Sequence, residues 1–229
     1  MLSITMVILI GILGYNLIGN TRAYLLLRDK SDDDVEYDQW GEPLDSDVTE
    51  ANDILDDTCM YSLLAGVVIT ILALISFTLL FGARYNYGKK HSFKMIAALI
   101  LVILTPIVMG MDEYYYEMMT LSEVRNGVLP AISILLFIAA LYLSISEIGG
   151  KRFGFMGLLV GTLATVPLFP VKYDLYDFSF TDLDVISRNG MIADIGLIIA
   201  MILFLIAIKK ALSYTQQLSM PRKNAGDEK

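Results

Sequence analysis

Residues 190–208 read GMIADIGLIIAMILFLIAI, a stretch in which Asp194 is the only charged side chain. A helix of about 20 apolar residues is long enough to cross the hydrocarbon core of a bilayer, which is roughly 30 Å thick. Five similar apolar runs precede it, at 2–19, 61–83, 95–111, 127–146 and 153–171. Because a bilayer interior offers the backbone no hydrogen-bond partners, each run is predicted to be a helix.

The composition agrees with this interpretation. Of the 229 residues, 55% are hydrophobic and 18% are charged, with a mean hydropathy of +0.60. Soluble domains usually carry about a quarter charged residues, and here the charges are concentrated between the apolar runs. The sequence therefore predicts an all-α fold, a polytopic transmembrane bundle with six spans.

These runs divide the chain into four predicted parts. They are a first transmembrane helix at 1–27, an acidic extracytoplasmic loop at 28–59, a five-helix transmembrane bundle at 60–212 and a cytoplasmic polar tail at 213–229. The first run has no basic residues before it and no small-residue cleavage site after it. We therefore expect a retained helix rather than a signal peptide.

The segments between the runs alternate in charge, acidic then basic, along the whole chain. The basic segments and the tail hold eleven Lys and Arg against three acids, whereas the acidic segments hold six Lys and Arg against 21 acids, to which Asp194 adds one more on the same side. The positive-inside rule then places both termini in the cytoplasm and a net charge of −16 outside. One observation dissents: Arg22, Arg28 and Lys30 follow the first run, which leaves open a first helix that only partly crosses or lies along the interface.

Ionisable residues are scarce inside the predicted spans, where they usually mark ion paths or proton relays. Asp194 lies one turn inside the sixth run, near its outer end, and no acid, base or histidine falls near a predicted midplane. Asn16 and Asn20 are polar residues within the first predicted helix. We expect these three side chains to make intramembrane polar contacts with neighbouring helices.

Small residues recur four positions apart in the last two runs. Gly157 and Gly161 form a GxxxG pattern, and Gly196 and Ala200 repeat the spacing. Small side chains let helix backbones approach closely in a membrane, so these four positions are predicted to pack against other helices.

The acidic segment after the first run raises the question of a metal site. Asp32, Asp34, Glu36 and Asp38 are weak candidates for binding a divalent cation. An EF-hand is not expected, because Gln39 or Tyr37 stands where that loop needs glycine. The alternative is a solvated, self-repelling loop.

Other chemistries lack the residues they need. The chain has one cysteine, Cys59, and one histidine, His91, which is too few ligands for a structural zinc or haem site. The sequence also lacks a phosphate-binding glycine loop and a pair of intramembrane aspartates. We therefore expect no cofactor and no catalytic residue, and we expect the protein not to be an enzyme.

The leading hypothesis is a non-catalytic subunit or scaffold of a membrane assembly with an acidic outer face. The alternative is a small channel or transporter for cations or small solutes, which would need a polar cavity lined by residues such as Asn16, Asn20, Thr70, Thr105 or Thr162. The expected partners are membrane lipid, other membrane subunits or a basic protein at the outer face, and not nucleic acid. The expected location is the cell membrane, either a plasma or an inner membrane.

Overall fold

The structure is a computed structural model that describes residues 2–28, 30, 45–86, 93–116, 128–168 and 180–219. These residues form α-helices and one short 3₁₀ turn, and the described ranges contain no strand. The predicted all-α fold class is therefore confirmed for them. The helices are α1 (Leu2–Leu27), α2 (Ser46–Asn86), α3 (Phe93–Tyr116), α4 (Val128–Glu147), α5 (Lys151–Thr165, continued by the 3₁₀ turn Val166–Leu168) and α6 (Phe180–Ser219).

Two helical segments in the described ranges are long and apolar enough to cross a membrane, by length and composition. They are Leu2–Leu27 and Asp184–Ala211. The apolar parts of the next three helices are shorter, at Leu64–Leu80, Phe93–Val108 and Ala131–Glu147. Helix α5 has 15 residues, or about 22 Å at 1.5 Å per residue, so without its 3₁₀ extension it falls short of a bilayer core.

Two helices extend ten or more residues beyond the apolar runs that predicted them. Helix α2 begins at Ser46, so 46–59 is helical although it was predicted to belong to a loop. This acidic part of α2 has an apolar face: Val48, Ala51 and Leu55 pack against Ala23 and Leu27 of α1. Helix α6 begins before the sixth run and ends at Ser219, inside the predicted tail. Both helices are about 60 Å long at 1.5 Å per residue, twice the thickness of a bilayer core.

The main contacts link each helix to two neighbours. Helix α1 packs against α2 and α6, α6 against α5, α5 against α4, α4 against α3, and α3 against α2. Close contacts at both ends of α1 fix its direction relative to α2. Thr5 meets Ser76 near one end and Gly19 meets Thr58 near the other, so the two helices are antiparallel.

Helices α4, α5 and α6 are also antiparallel in sequence order. Gly150, just before α5, lies against Ala207 of α6, and Gly196 of α6 lies against Ala164 at the far end of α5. On the other face of α5, Gly154 lies near Ile145 of α4 and Gly161 near Ile138.

Most of the buried side chains in the bundle are apolar. One cluster joins Met6 of α1, Phe77 of α2, Val102 of α3, Ile138 of α4 and Phe204 of α6, none of them more than 2% exposed. Every side chain of α4 from 131 to 147 is buried or half-buried, so neighbouring helices cover this part of α4 on all sides.

The predicted small-residue positions lie between helices. The Gly157 backbone meets the ring of Phe204, and a Cβ at Gly161 would lie 2.8 Å from Ile138 Cδ1 and 3.4 Å from Ala200 Cβ. A Cβ at Gly196 would lie 2.5 Å from Ala164 Cβ. Helix α5 therefore has glycine where it meets α4 and α6.

We expect Gly161→Leu to destabilise the folded protein in detergent, because the added side chain must displace Ile138 and separate α5 from α4 and α6. Overpacking of this kind costs about 1–3 kcal/mol. Leu159→Ala is the control, since Leu159 is 48% exposed on the opposite face of α5, and it should shift the thermal midpoint much less. Equal midpoints for Gly161→Leu and the unchanged protein would contradict this packing.

Candidate functional site

A buried polar contact between helices joins Asn20 of α1 to Asp194 of α6. Asn20 Nδ2 donates a hydrogen bond of 2.7 Å to Asp194 Oδ2. The two residues are 4% and 7% exposed, respectively. A carboxylate removed from water is costly unless it is hydrogen-bonded, and this amide supplies one bond.

Glycine at position 190 makes room for the Asn20 side chain. A Cβ at Gly190 would lie 2.8 Å from Asn20 Nδ2 and 3.0 Å from its Cγ. Gly190 and Asp194 are one helical turn apart and therefore share a face of α6. One face of α6 thus provides both the cavity for the amide and the acceptor for its hydrogen bond.

The polar surface continues along both helices. Ser187 is fully buried, and its Oγ donates a 3.0 Å bond to the carbonyl oxygen of Asp184. The Oδ1 atom of Asp184 is also buried, without a hydrogen-bond partner among the described residues. On α1, Asn16 is half-buried one turn from Asn20. Buried or half-buried polar side chains thus lie close in sequence to Asn20 and Asp194 on both helices.

The Asn20 and Asp194 side chains make a structural contact between two helices. The described residues include no group of three or more His, Cys, Asp and Glu placed to hold a metal ion. The Asn20 amide and the Asp194 carboxylate bond directly to each other, an arrangement that ties α1 to α6. Side-chain hydrogen bonds of this kind fix the register of helices in apolar surroundings.

A second polar cluster connects the end of α1 to the start of α2. Lys30 Nζ lies 2.5 Å from both carboxylate oxygens of Asp45 and 2.8 Å from Asp47 Oδ2. Asp45 Oδ1 also accepts a 2.8 Å bond from the Asp47 backbone N–H, which is the role of a helix N-cap. Asp45 therefore caps the start of α2 and also binds Lys30, which follows α1.

The ion pair shifts both titrating groups towards their charged forms. The hydrogen bond from Lys30 lowers the pKa of Asp45, and the hydrogen bonds to Asp45 and then Asp47 raise the pKa of Lys30. The stabilisation of the folded state by ionised Asp45 is complete above the unfolded pKa of this group, near 3.8. It is lost as the pH falls through the lower pKa of the folded state. The stabilisation of the folded state by protonated Lys30 is complete below the unfolded pKa of this group, 10.5. It is lost as the pH rises through the higher pKa of the folded state.

The structure brings together part of what the sequence singled out. Asn20 and Asp194 are in contact, and the four small-residue positions lie at helix interfaces. The weak cation candidates Asp32, Asp34, Glu36 and Asp38 lie outside the described residues. Sequence reasoning missed the Lys30–Asp45 pair, although Asp45 followed by Ser46 and Asp47 is a recognisable helix-start signal.

We expect Asn20→Leu and Asp194→Leu each to lower the free energy of unfolding by about 1–3 kcal/mol, because each leaves a buried polar partner without its bond. The double variant should cost less than the sum of the two, as measured by denaturation in detergent. Thr78→Val is the control, since its hydroxyl is exposed and bonds only within α2. Strictly additive losses would show that the two side chains are not energetically coupled.

Comparison with known proteins gives no relative from which a role could be transferred. The chain matches no protein-family model, no curated protein and no solved structure. The contacts of the described residues therefore carry the functional inference.

Proposed function

We propose that the chain is an integral membrane protein that spans the bilayer six times, with both termini in the cytoplasm. The exposed side chains carry this proposal. Large apolar residues lie on the outside of α1, α2, α3, α5 and α6, and examples are Ile18 at 62%, Val67 at 61% and Leu163 at 69% exposed. Soluble monomers rarely expose contiguous apolar patches larger than a few hundred Å², so lipid is the solvent that suits these faces.

The charges at the two ends of the bundle support the orientation. Lys151 and Lys210 belong to the end where α5 begins and α6 finishes, and Lys210 Nζ lies 4.1 Å from the centre of the Phe153 ring. The start of α2, with Asp47, Glu50 and Asp53, belongs to the other end. Basic residues favour the cytoplasmic side of a membrane.

Two of the three dissenting basic residues after the first run, Arg22 and Lys30, pair with acids at or just before the start of α2. Arg22 lies 3.5 Å from Glu50, and Lys30 is bonded to Asp45 and Asp47. Acids in contact with these cations offset their charge, so they are compatible with an extracytoplasmic end. The α1–α2 contacts thus support a fully crossing first helix.

We expect a cysteine at position 46 to react with an impermeant thiol reagent in intact cells, and a cysteine at position 92 to react only after permeabilisation. Ser46→Cys and Ser92→Cys would each be made in a Cys59→Ser background, which is itself the unlabelled control. Ser46 is exposed at the start of α2, so lack of labelling there would not come from burial. The reverse pattern would overturn the proposed orientation.

Within the membrane, the protein acts as a non-catalytic subunit or scaffold. The packing of the described interior supports this role over that of a channel or transporter. Thr70 and Thr105 donate hydrogen bonds to carbonyls of their own helices, Gly66 and Leu101, and the Thr162 side chain is exposed. Apolar side chains fill the space between the helices at the centre of the bundle. This packing favours binding of a partner on the outer surface over binding of a solute inside.

The outer acidic face is the proposed site for a basic partner or subunit. Residues 28–59 carry thirteen Asp and Glu against two basic residues. A surface this negative attracts cations over about a Debye length, roughly 8 Å at physiological salt. Association through it should therefore weaken as the salt concentration rises.

We expect the joint change of Asp32, Asp33, Asp34 and Asp38 to Asn and Glu36 to Gln to reduce partner retention and its salt dependence. The measurement is the mass of the assembly purified at low and high salt from its native membrane. Asp227→Asn with Glu228→Gln is the matched control, because these acids belong to the predicted cytoplasmic tail. The subunit proposal would fail if the unchanged protein ran as a lone monomer at low salt, and also if purified protein in vesicles conducted ions.

A further inference from the structure

An open groove runs along the outer surface between α1 and α2. It has a volume of about 580 Å³ and is lined by Ile8, Gly11, Ile12, Tyr15, Tyr61 and Ala65. Two features shape it. A Cβ at Gly11 would meet nothing within 4 Å, and the rings of Tyr15 and Tyr61 meet edge to face, with centroids 5.8 Å apart, at the end nearer the start of α2.

The exposed side chains around the groove are apolar. Val7 and Ile8 on α1 and Leu64 and Val68 on α2 are 38–62% exposed. If the bundle spans a bilayer as proposed, the groove opens into the hydrocarbon region. Its volume falls within the range of about 300–1,000 Å³ that is usual for small-ligand sites.

Charges of both signs lie beyond the tyrosine end, on the same side of the two helices. Arg22 follows Tyr15 by two helical turns, and Glu50 lies 3.5 Å from it. Asp53 and Asp57 are exposed on α2 and lead down to Tyr61 at helical spacing. The mouth of the groove is thus flanked by a guanidinium on α1 and by carboxylates on α2.

The distances suit a single lipid molecule. Arg22 and Ile8 are 14 residues apart on α1, or about 21 Å at 1.5 Å per residue. This is close to one leaflet of hydrocarbon, about 15 Å, with a headgroup above it. A chain lying along Gly11 would end near Ile8, while its headgroup would lie level with Arg22.

We propose that this groove binds one acyl chain of a zwitterionic phospholipid in the extracytoplasmic leaflet. The lipid phosphate contacts Arg22, and the ammonium group of the headgroup contacts Asp53 or Asp57. An anionic lipid would meet the same arginine but would be repelled by the neighbouring carboxylates. The inference rests on the proposed membrane embedding and adds to it a defined site and lipid class.

The test uses the full chain in lipid nanodiscs containing a phosphatidylethanolamine with a photoreactive group on its acyl chain. We expect labelling of peptides covering 8–15 and 61–65, and about two- to fivefold more labelling than with the matching phosphatidylglycerol probe. Gly11→Phe should abolish the labelling, because a Cβ at this position meets nothing within 4 Å and the ring beyond it would fill the groove. Leu163→Phe, on the exposed face of α5, is the matched control and should leave the labelling unchanged. The joint change Asp53→Asn and Asp57→Asn should keep the labelling but lose the headgroup preference, because these carboxylates repel the anionic headgroup whereas Arg22 meets the phosphate of either lipid.

Several results would overturn the proposal: labelling spread evenly around the bundle, labelling that survives Gly11→Phe, or a preference for the anionic probe. The groove would also be reassigned if cross-linking from position 11 captured a second copy of the chain in place of lipid. These failures are distinguishable from failure of the membrane topology, which the cysteine pair at positions 46 and 92 reports independently.

Discussion

Helix α6 approaches its neighbours at positions where a side chain is small or missing, and the bundle depends on these approaches. Gly190 admits the Asn20 amide from α1, while Gly196 lies against Ala164 of α5. In the proposed bilayer setting, helices gain nothing from hiding apolar surface from water, so close packing and interhelical hydrogen bonds would hold them together. Because α6 contacts α1 on one side and α5 on the other, its small residues set the spacing between the first helix and the last two.

The α1–α2 hairpin combines two environments along one pair of helices. Near the start of α1 its outer surface is apolar, and Thr5 meets Ser76 across the interface. Near the start of α2, Glu50 pairs with Arg22 of α1, and Lys30, which follows α1, pairs with Asp45 and Asp47. The same hairpin can therefore face lipid through one part and an aqueous, cation-rich layer through the other, which links the proposed lipid groove to the proposed acidic docking face.

The distribution of polar groups supports the proposed role of a membrane subunit over that of a transporter. The described hydroxyls mostly bond to their own helices, and the buried amide and carboxylate bond to each other. Such groups stabilise a fixed arrangement, whereas a solute pathway needs polar atoms that exchange partners. The exterior, with apolar sides and an acidic end, offers the surfaces available for recognition.

The sequence by itself indicated the helical class, because its long apolar runs have helical length and lack the alternation of barrel strands. It also indicated that Gly157 and Gly161 would lie between helices, since small residues four apart share one face. It did not determine that 46–59 belongs to α2, because acidic residues hid the apolar face formed by Val48, Ala51 and Leu55. Only the tertiary structure decided that Asn20 meets Asp194 and that Tyr15 meets Tyr61, since residues 174 and 46 positions apart come together only through the packing of whole helices.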